Sequence, residues 1–87
     1  MDVVFRRSFL KDIRGVDSVL ARRIERVIME LEQATSLYEI RHLKRLAGSN
    51  VYYRIRVGNY RIGLRLDEDR VTLVRFLHRK DIYRYFP

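Results

Sequence analysis

The feature of this sequence that most constrains its fold is the alternation of apolar and polar side chains across residues 51–66, VYYRIRVGNYRIGLRL. On each side of Gly58-Asn59 an apolar residue recurs at every second position, which is the period of a half-buried strand. A Gly-Asn pair between two such runs is typical of a two-residue hairpin turn. The sequence therefore predicts an antiparallel hairpin with strands at 51–57 and 60–66.

A third strand is predicted after the acidic turn Asp67-Glu68-Asp69. Residues 71–78, VTLVRFLH, are apolar on both faces, which is typical of a strand in the interior of a sheet. Near the N-terminus, VVFRRSF at 3–9 is predicted to begin as a strand and to run into a helix.

Two helices are predicted between the first strand and the hairpin. Ser8 is a candidate cap for a short helix that runs to about Arg14 and ends at Gly15, and Asp17 is a candidate cap for a longer one. The longer helix carries one apolar stripe, formed by Leu20, Ile24, Val27, Ile28 and Leu31. This stripe predicts that the helix packs on the sheet.

The remaining segments are less regular. Residues 35–50 are predicted to contain a turn of helix or a short strand, with a turn at Gly48-Ser49-Asn50. The order β-α-α-β-β-β predicts an α+β fold, in which a helical hairpin covers one face of an antiparallel-rich sheet. A chain of 87 residues has room for one domain, residues 1–87.

The charge of the chain points to an anionic partner. It carries nineteen cationic side chains against eleven acidic ones, a net charge of +8, and all the cations except Lys11, Lys44 and Lys80 are arginine. A guanidinium presents a rigid fork of donors that matches phosphate oxygens. Such a basic chain is typical of proteins that bind a polyanion or an acidic protein.

Composition also limits which cellular compartment and which cofactors are expected. No apolar run approaches the ~20 residues that cross a bilayer, and the N-terminus is too charged for a signal peptide, so a cytoplasmic protein with no membrane partner is expected. The absence of cysteine excludes disulfides and thiolate metal sites and suits a reducing compartment. No His or acidic spacing typical of a metal site occurs, so neither metal nor cofactor is expected.

The period of two also places four arginines on the side of the hairpin that faces away from the predicted helices: Arg54, Arg56, Arg61 and Arg65. No carboxylate is expected opposite them, and a bound anion would relieve their mutual repulsion. Tyr52 is predicted on the same side, where it could stack on a base. The alternative is an ordinary solvated sheet face.

Cleavage of an RNA phosphodiester requires a base for the 2′-hydroxyl, positive charge for the transition state and an acid for the leaving oxygen. Arginine supplies the charge, and His78, Tyr83 and Tyr85 are the proton-transfer candidates predicted near it. For His78 the alternative is a strand-end histidine that hydrogen-bonds backbone. Phe86 is expected to pack in the core, and His42 is given no role.

Several stretches together resemble toxins of the RelE/ParE superfamily from type II toxin–antitoxin modules, and the resemblance covers nearly the whole chain. The stretches are RSFLKDIRGVDSVLARRIERVIMEL, HLKRLAG and YYRIRVGNYRIGLRLDEDRVTLVRFLHRKDIYR. The resemblance implies a β-α-α-β-β-β toxin. Its favoured RelE branch consists of endoribonucleases that cut mRNA in the ribosomal A site through attack by the 2′-hydroxyl.

The resemblance also implies roles for individual residues. Arg54 and Arg56 correspond to basic residues of the catalytic surface, Arg61 to a phosphate clamp, Arg79 to the acid or transition-state donor and Tyr83 to the base. Tyr85 and His78 are the alternatives for the base. The residues predicted to contact RNA around this site are Tyr52, Arg65, Lys80, Arg84 and Tyr85.

Two other functions are compatible with the resemblance. ParE-type toxins share the fold and inhibit DNA gyrase by binding, and a degenerate member would act as a binding module without catalysis. Every branch implies a cognate antitoxin, here RelB-like, that covers the basic surface with an extended segment and a helix. The RelE branch adds mRNA in the ribosomal A site and ribosomal RNA as partners.

Overall fold

Five strands form one sheet in the computed structural model, which describes residues 1–87. The strands are β1 (Asp2–Phe5), β2 (Leu43–Arg45), β3 (Tyr52–Val57), β4 (Tyr60–Asp67) and β5 (Arg70–His78). The helices are α1 (Arg7–Ile13), α2 (Ser18–Gln33) and α3 (Ile82–Tyr85), and Leu37–Glu39 form a 3-10 turn. None of the helices combines the length and the hydrophobicity that a membrane crossing requires.

The sheet has the order β1-β5-β4-β3-β2 and is antiparallel except where β1 pairs with β5. The predicted hairpin is confirmed, with Val57 opposite Tyr60 across the two-residue turn. β5 lies between β1 and β4, which explains why it is apolar on both faces. Residues 35–50 contain both elements that were predicted as alternatives, since a helical turn is followed by the short edge strand β2.

Helices α1 and α2 contribute to the main core on one face of the sheet. The carboxylate of Asp17 accepts a hydrogen bond from the Leu20 N–H at 2.8 Å, so the predicted cap of α2 is confirmed. Within the apolar stripe, Ile24 and Leu31 are buried and the other three side chains pack against the same core. Phe9 of α1 is fully buried beside them.

The predicted cap of α1 is wrong. The helix begins at Arg7, and Ser8 lies within its first turn, where its hydroxyl donates a hydrogen bond to the Val74 carbonyl at 2.6 Å. Val74 lies in an irregularity of β5, because Gly63 pairs with Arg75 and the next residue of β4 pairs with Leu73. Ser8 therefore satisfies a carbonyl at the bulge instead of the helix terminus.

A largely buried ion pair joins α1 to the same irregular part of β5. The Asp12 carboxylate accepts hydrogen bonds from Arg75 Nε at 2.7 Å, from another Arg75 nitrogen at 3.2 Å and from the Phe76 N–H at 2.9 Å. The Asp12 side chain is 15% exposed and that of Arg75 is 28% exposed. The hydrogen bonds to Asp12 raise the pKa of Arg75. Asp12 thus anchors the C-terminal end of α1 to the strand.

We expect Asp12→Ala to lower the free energy of unfolding by about 2 kcal/mol, because a charged acceptor of three hydrogen bonds is lost. Urea denaturation measures this change. The control is Asp2→Ala, which removes the 3.2 Å pair with Arg70, whose two side chains are each 62% exposed. The control should change stability by less than about 1 kcal/mol. Equal losses in both variants would contradict the anchoring role of Asp12.

Candidate active site

The C-terminal segment crosses the middle of the sheet face that carries the arginines. The Phe86 ring lies directly on Gly63, so close that a Cβ added at residue 63 would be 2.8 Å from its ring carbons. Ile82 and Phe86 are buried there, as is Leu46 from the connection before β3. This second small core confirms the packing predicted for Phe86. The face lies opposite α1 and α2, as predicted, but the further short helix α3 covers its centre.

At one end of this face four arginines converge with a tyrosine. We call this group the basic cluster; its members are Arg54, Arg56, Arg61, Arg79 and Tyr83. Arg56 of β3 pairs with Arg61 of β4, and Arg54 lies two residues before Arg56 on the same face. The Arg54 guanidinium lies over the Tyr83 ring, 5.4 Å from its centroid, which is a cation–π contact. The register of the hairpin therefore assembles the predicted arginines next to Tyr83.

Arg61 of β4 is half-buried within the basic cluster. Its Nη1 donates hydrogen bonds to the Gly58 carbonyl at 3.0 Å and to the Tyr60 carbonyl at 2.9 Å. Burial lowers the pKa of Arg61, and repulsion from Arg54, Arg56 and Arg79 lowers it further. The guanidinium still remains charged at any working pH. It is thus a fixed cation in a positive field, and a bound anion would relieve that repulsion.

The fourth hairpin arginine, Arg65, lies at the other end of the face and is already paired. Its Nε donates to Asp67 at 2.7 Å and its Nη1 to the Tyr52 hydroxyl at 3.2 Å. These hydrogen bonds raise the pKa of Arg65, and the one to Asp67 lowers the pKa of that carboxyl. The expectation that no carboxylate shares this face is wrong, because β4 extends to Asp67, two residues beyond Arg65.

The Tyr52 ring packs against two neighbours on the arginine face. Its ring meets Phe86 edge-on at a centroid distance of 5.6 Å, and the Arg65 guanidinium lies 5.4 Å from its centroid. These contacts place Tyr52 on the arginine face, as predicted, and its predicted stacking on a base stays a prediction.

His78 lies on the opposite face of the sheet from the basic cluster. It pairs with Tyr60, one residue beyond the pairing of Arg61 with Leu77, so it faces the main core side. Its ring packs edge-on against Tyr60 at 5.4 Å, and its Nδ1 accepts the Lys80 N–H at 3.2 Å. The prediction that His78 lies near the arginines is wrong, and the alternative of a strand-end histidine bonded to backbone is confirmed.

The short helix α3 decides which tail residues reach the basic cluster. Ile82 and Phe86, four residues apart, face the sheet, so the three residues between them are exposed. Of these, Tyr83 contacts Arg54, whereas Tyr85 contacts only its neighbour Arg84, 6.0 Å from its ring centroid. The structure thus places Tyr83, and not Tyr85, against the hairpin arginines.

The turn before α3 is tied to the hairpin. The Arg79 N–H donates to the Asn59 carbonyl at 2.8 Å, which holds Arg79 beside the β3–β4 turn. Lys80 follows it and is exposed, as is Arg84. Lys80, Arg84 and Tyr85 therefore border the basic cluster without a demonstrated contact to it, and their predicted RNA contacts stay predictions.

Sequence reasoning missed one residue of this site. A surface groove of about 410 Å³ is lined by His42, Leu43, Lys44, Arg54, Arg56 and Arg61. The Nδ1 of His42 lies 3.1 Å from Nη2 of Arg56. His42 reaches this groove only because β2 pairs with β3, with Leu43 opposite Ile55, and no local pattern signals that pairing.

The site offers guanidinium donors for an anion, and a phenol and an imidazole for proton transfer. No three His, Asp or Glu side chains of the chain converge closely enough to hold a metal ion.

Comparison with known proteins supports one family. A family model described as the ParE toxin of the type II toxin–antitoxin system, parDE, matches residues 3–83. Toxin RelE3 of Methanocaldococcus jannaschii is 43% identical over 88 residues, with 100% of each chain covered. A chain in the crystal structure of the RelB-RelE antitoxin–toxin complex from Methanococcus jannaschii superposes with a TM-score of 0.81 at 42% identity, covering 97% of this chain and 99% of that one.

The fold extends to more distant proteins. A chain of the archaeal RelE-RelB complex from Pyrococcus horikoshii OT3 superposes with a TM-score of 0.75 at 20% identity, over 90% of this chain and 93% of that one. At this identity the likeness concerns the fold alone.

We expect Gly63→Ala to destabilise the protein by about 1–3 kcal/mol, because the added methyl group collides with the Phe86 ring. Urea denaturation of Gly63→Ala, Phe86→Leu and the double variant forms a double-mutant cycle. The smaller leucine should make room for the methyl group, so the double variant should be more stable than the sum of the single changes. Strict additivity would show that the two residues do not compete for space.

Proposed function

Because the chain belongs to the RelE/ParE superfamily of toxins from type II toxin–antitoxin modules, we propose that it is a RelE-type, ribosome-dependent endoribonuclease. It would stop translation by cutting mRNA in the ribosomal A site. The observation that carries the proposal is the convergence of Arg54, Arg56, Arg61 and Arg79 with Tyr83 on one end of the sheet. The resemblance to a protein named Toxin RelE3 supports the same branch.

The basic cluster matches the charge requirements of the cleavage reaction. Attack of a 2′-hydroxyl on the adjacent phosphorus concentrates negative charge on the phosphate oxygens, and preorganised donors stabilise that charge. Arg61, held by two backbone carbonyls, is the proposed clamp of the scissile phosphate. Arg54 and Arg56 flank it, and Arg79 is the proposed donor to the transition state. Tyr83 is the proposed proton-transfer group next to Arg54.

Exposed residues beside the basic cluster suit contacts with neighbouring nucleotides. Lys80 and Arg84 supply cations for backbone phosphates, and Tyr85 offers a ring that is 53% exposed for stacking. Arg65 and Tyr52, in contrast, are engaged with each other and with Asp67 at the far end of the face.

Inhibition of DNA gyrase by binding is the second candidate function, since the matching family model is that of the ParE toxin. A binding function needs a charged surface but no proton transfer. The two candidate functions therefore differ in how they depend on Tyr83. Removal of its hydroxyl would impair cleavage, but it would leave the surface charge unchanged.

The first test is primer extension on a translated reporter mRNA after induction of the protein. We expect cuts within codons that disappear when translation is blocked. Arg61→Ala, Arg79→Ala and Tyr83→Phe should each reduce cleavage by about 100-fold or more, because each removes a transition-state donor or a proton-transfer group.

The matched control for this test is Arg22→Ala, which removes one exposed cation from α2, away from the basic cluster. It should cleave like the wild type. Growth arrest with intact mRNA would favour gyrase inhibition, and the absence of both arrest and cuts would indicate a binding module without catalysis.

We also propose that a RelB-like antitoxin binds this chain and neutralises the basic cluster. The solved relatives include complexes described as RelB-RelE, and one of them is 42% identical to this chain. A net charge of +8 with four neighbouring arginines favours acidic segments of a partner.

Calorimetric titration with the antitoxin encoded beside this gene tests that proposal. The Arg54→Gln/Arg56→Gln double variant should weaken binding about 10-fold or more, and the wild-type affinity should fall as salt rises. The Arg14→Gln/Arg22→Gln variant removes the same charge from exposed positions of the helical region. Equal affinity of both double variants would show that the antitoxin does not cover the basic cluster.

A further inference from the structure

His42 is held at the edge of the basic cluster in an uncommon backbone conformation. Its φ is 64°, in the left-handed region that few residues other than glycine adopt. Its carbonyl accepts the Arg56 N–H at 3.2 Å, and its Nδ1 lies 3.1 Å from Arg56 Nη2. Such backbone conformations concentrate at functional sites, where the surrounding structure maintains them. Two contacts with Arg56, one to the His42 backbone and one to its ring, thus hold His42 beside the candidate site.

The contact with Arg56 defines the hydrogen-bonding role of the imidazole nitrogen that faces it. A guanidinium N–H can only donate, so Nδ1 of His42 is the acceptor and carries no proton. An imidazole nitrogen that accepts a hydrogen bond from a phosphate-binding group is well placed to act as a general base once that group turns to the phosphate.

We propose that His42 is the proton acceptor of the RNA cleavage reaction, an inference that rests on the function proposed above. When the scissile phosphate binds, the Arg56 guanidinium turns to a phosphate oxygen and releases Nδ1. Nδ1 takes the proton of the 2′-hydroxyl while O2′ forms its bond to phosphorus. The P–O5′ bond breaks, and its electron pair leaves with the 5′-oxygen.

The remaining proton comes from the hydroxyl of Tyr83, which completes the 5′-hydroxyl product beside a 2′,3′-cyclic phosphate. Proton exchange with water then restores the phenol and the neutral imidazole. Arg56 holds His42 and Arg54 holds Tyr83, so the acceptor and the donor are positioned by two successive arginines on one face of β3. This pairing gives each proton transfer its own group.

Charged side chains surround His42 on two sides, and none of them is a second histidine. From the sheet, the charged side chains lining its groove are Lys44, Arg54, Arg56 and Arg61. On its other side a second groove brings Arg23, Arg26 and Glu30 of α2 together with Arg41, which pairs with Glu30 at 3.6 Å. Lysine, arginine and glutamate ordinarily titrate outside about pH 5 to 8, so a change of rate in that range would report His42.

The deciding variant is His42→Asn. Asparagine tolerates a positive φ, and its side-chain oxygen can accept from Arg56, but it cannot take up a proton. The measurement is single-turnover cleavage of mRNA on programmed ribosomes between about pH 5 and 9. A general base must be unprotonated to act, so we expect the wild-type rate to fall on the acidic side. We expect His42→Asn to be slowed about 100-fold or more and to lose that acidic fall.

Thermal unfolding of His42→Asn should match the wild type, which separates a chemical defect from misfolding. A near-wild-type rate in His42→Asn, or an acidic fall that persists in it, would show that His42 only orients Arg56 and would overturn the inference. In both of those cases the wild type still cleaves, so the proposed function stands. If the wild type does not cleave ribosome-bound mRNA at all, the proposed function and the inference fall together.

Discussion

The contact of the Phe86 ring with the bare backbone of Gly63 organises the functional face of this protein. Because residue 63 has no side chain, nothing projects from the centre of β4. An aromatic ring can therefore lie flat on the backbone there. Ile82 and Leu46 complete this small core. Because the contact fixes where α3 sits, it also brings Tyr83 over Arg54 and ties the end of the chain to the hairpin.

The same contact divides the arginines of the hairpin into two environments. On one side of the ring Arg65 is neutralised by Asp67 and hydrogen-bonded to Tyr52. On the other side Arg61 remains among three further arginines, and burial and repulsion together lower its pKa. Two ends of one sheet face thus hold the same residue type in opposite states, one satisfied within the fold and one that favours an anionic ligand.

Four acidic side chains of the chain form ion pairs, none of them with an arginine of the basic cluster. Asp12 anchors α1 to Arg75 of β5, and Asp67 neutralises Arg65 at the far end of β4. Glu30 faces Arg41 near α2. No ion pair is formed by Arg54, Arg56, Arg61 or Arg79. The fold therefore tolerates repulsion at this one place, which is consistent with a site that binds phosphate.

The sequence by itself determined the hairpin, the long amphipathic helix and its Asp17 cap, because each depends on a local period or on a contact within three residues. It also determined that Arg54, Arg56 and Arg61 share a face, since alternation along a strand requires it. Ser8 and His78 were misplaced, and the ring contacts of Tyr52 were missed, because these contacts lie with residues distant along the chain or depend on register. Only the tertiary structure decided where these side chains lie. Ser8 bonds to the bulge at Val74, His78 pairs with Tyr60, and the ring of Phe86 lies beside Tyr52. The pairing of β2 with β3 likewise brought His42 to Arg56, since long-range pairing places side chains together that no local pattern connects.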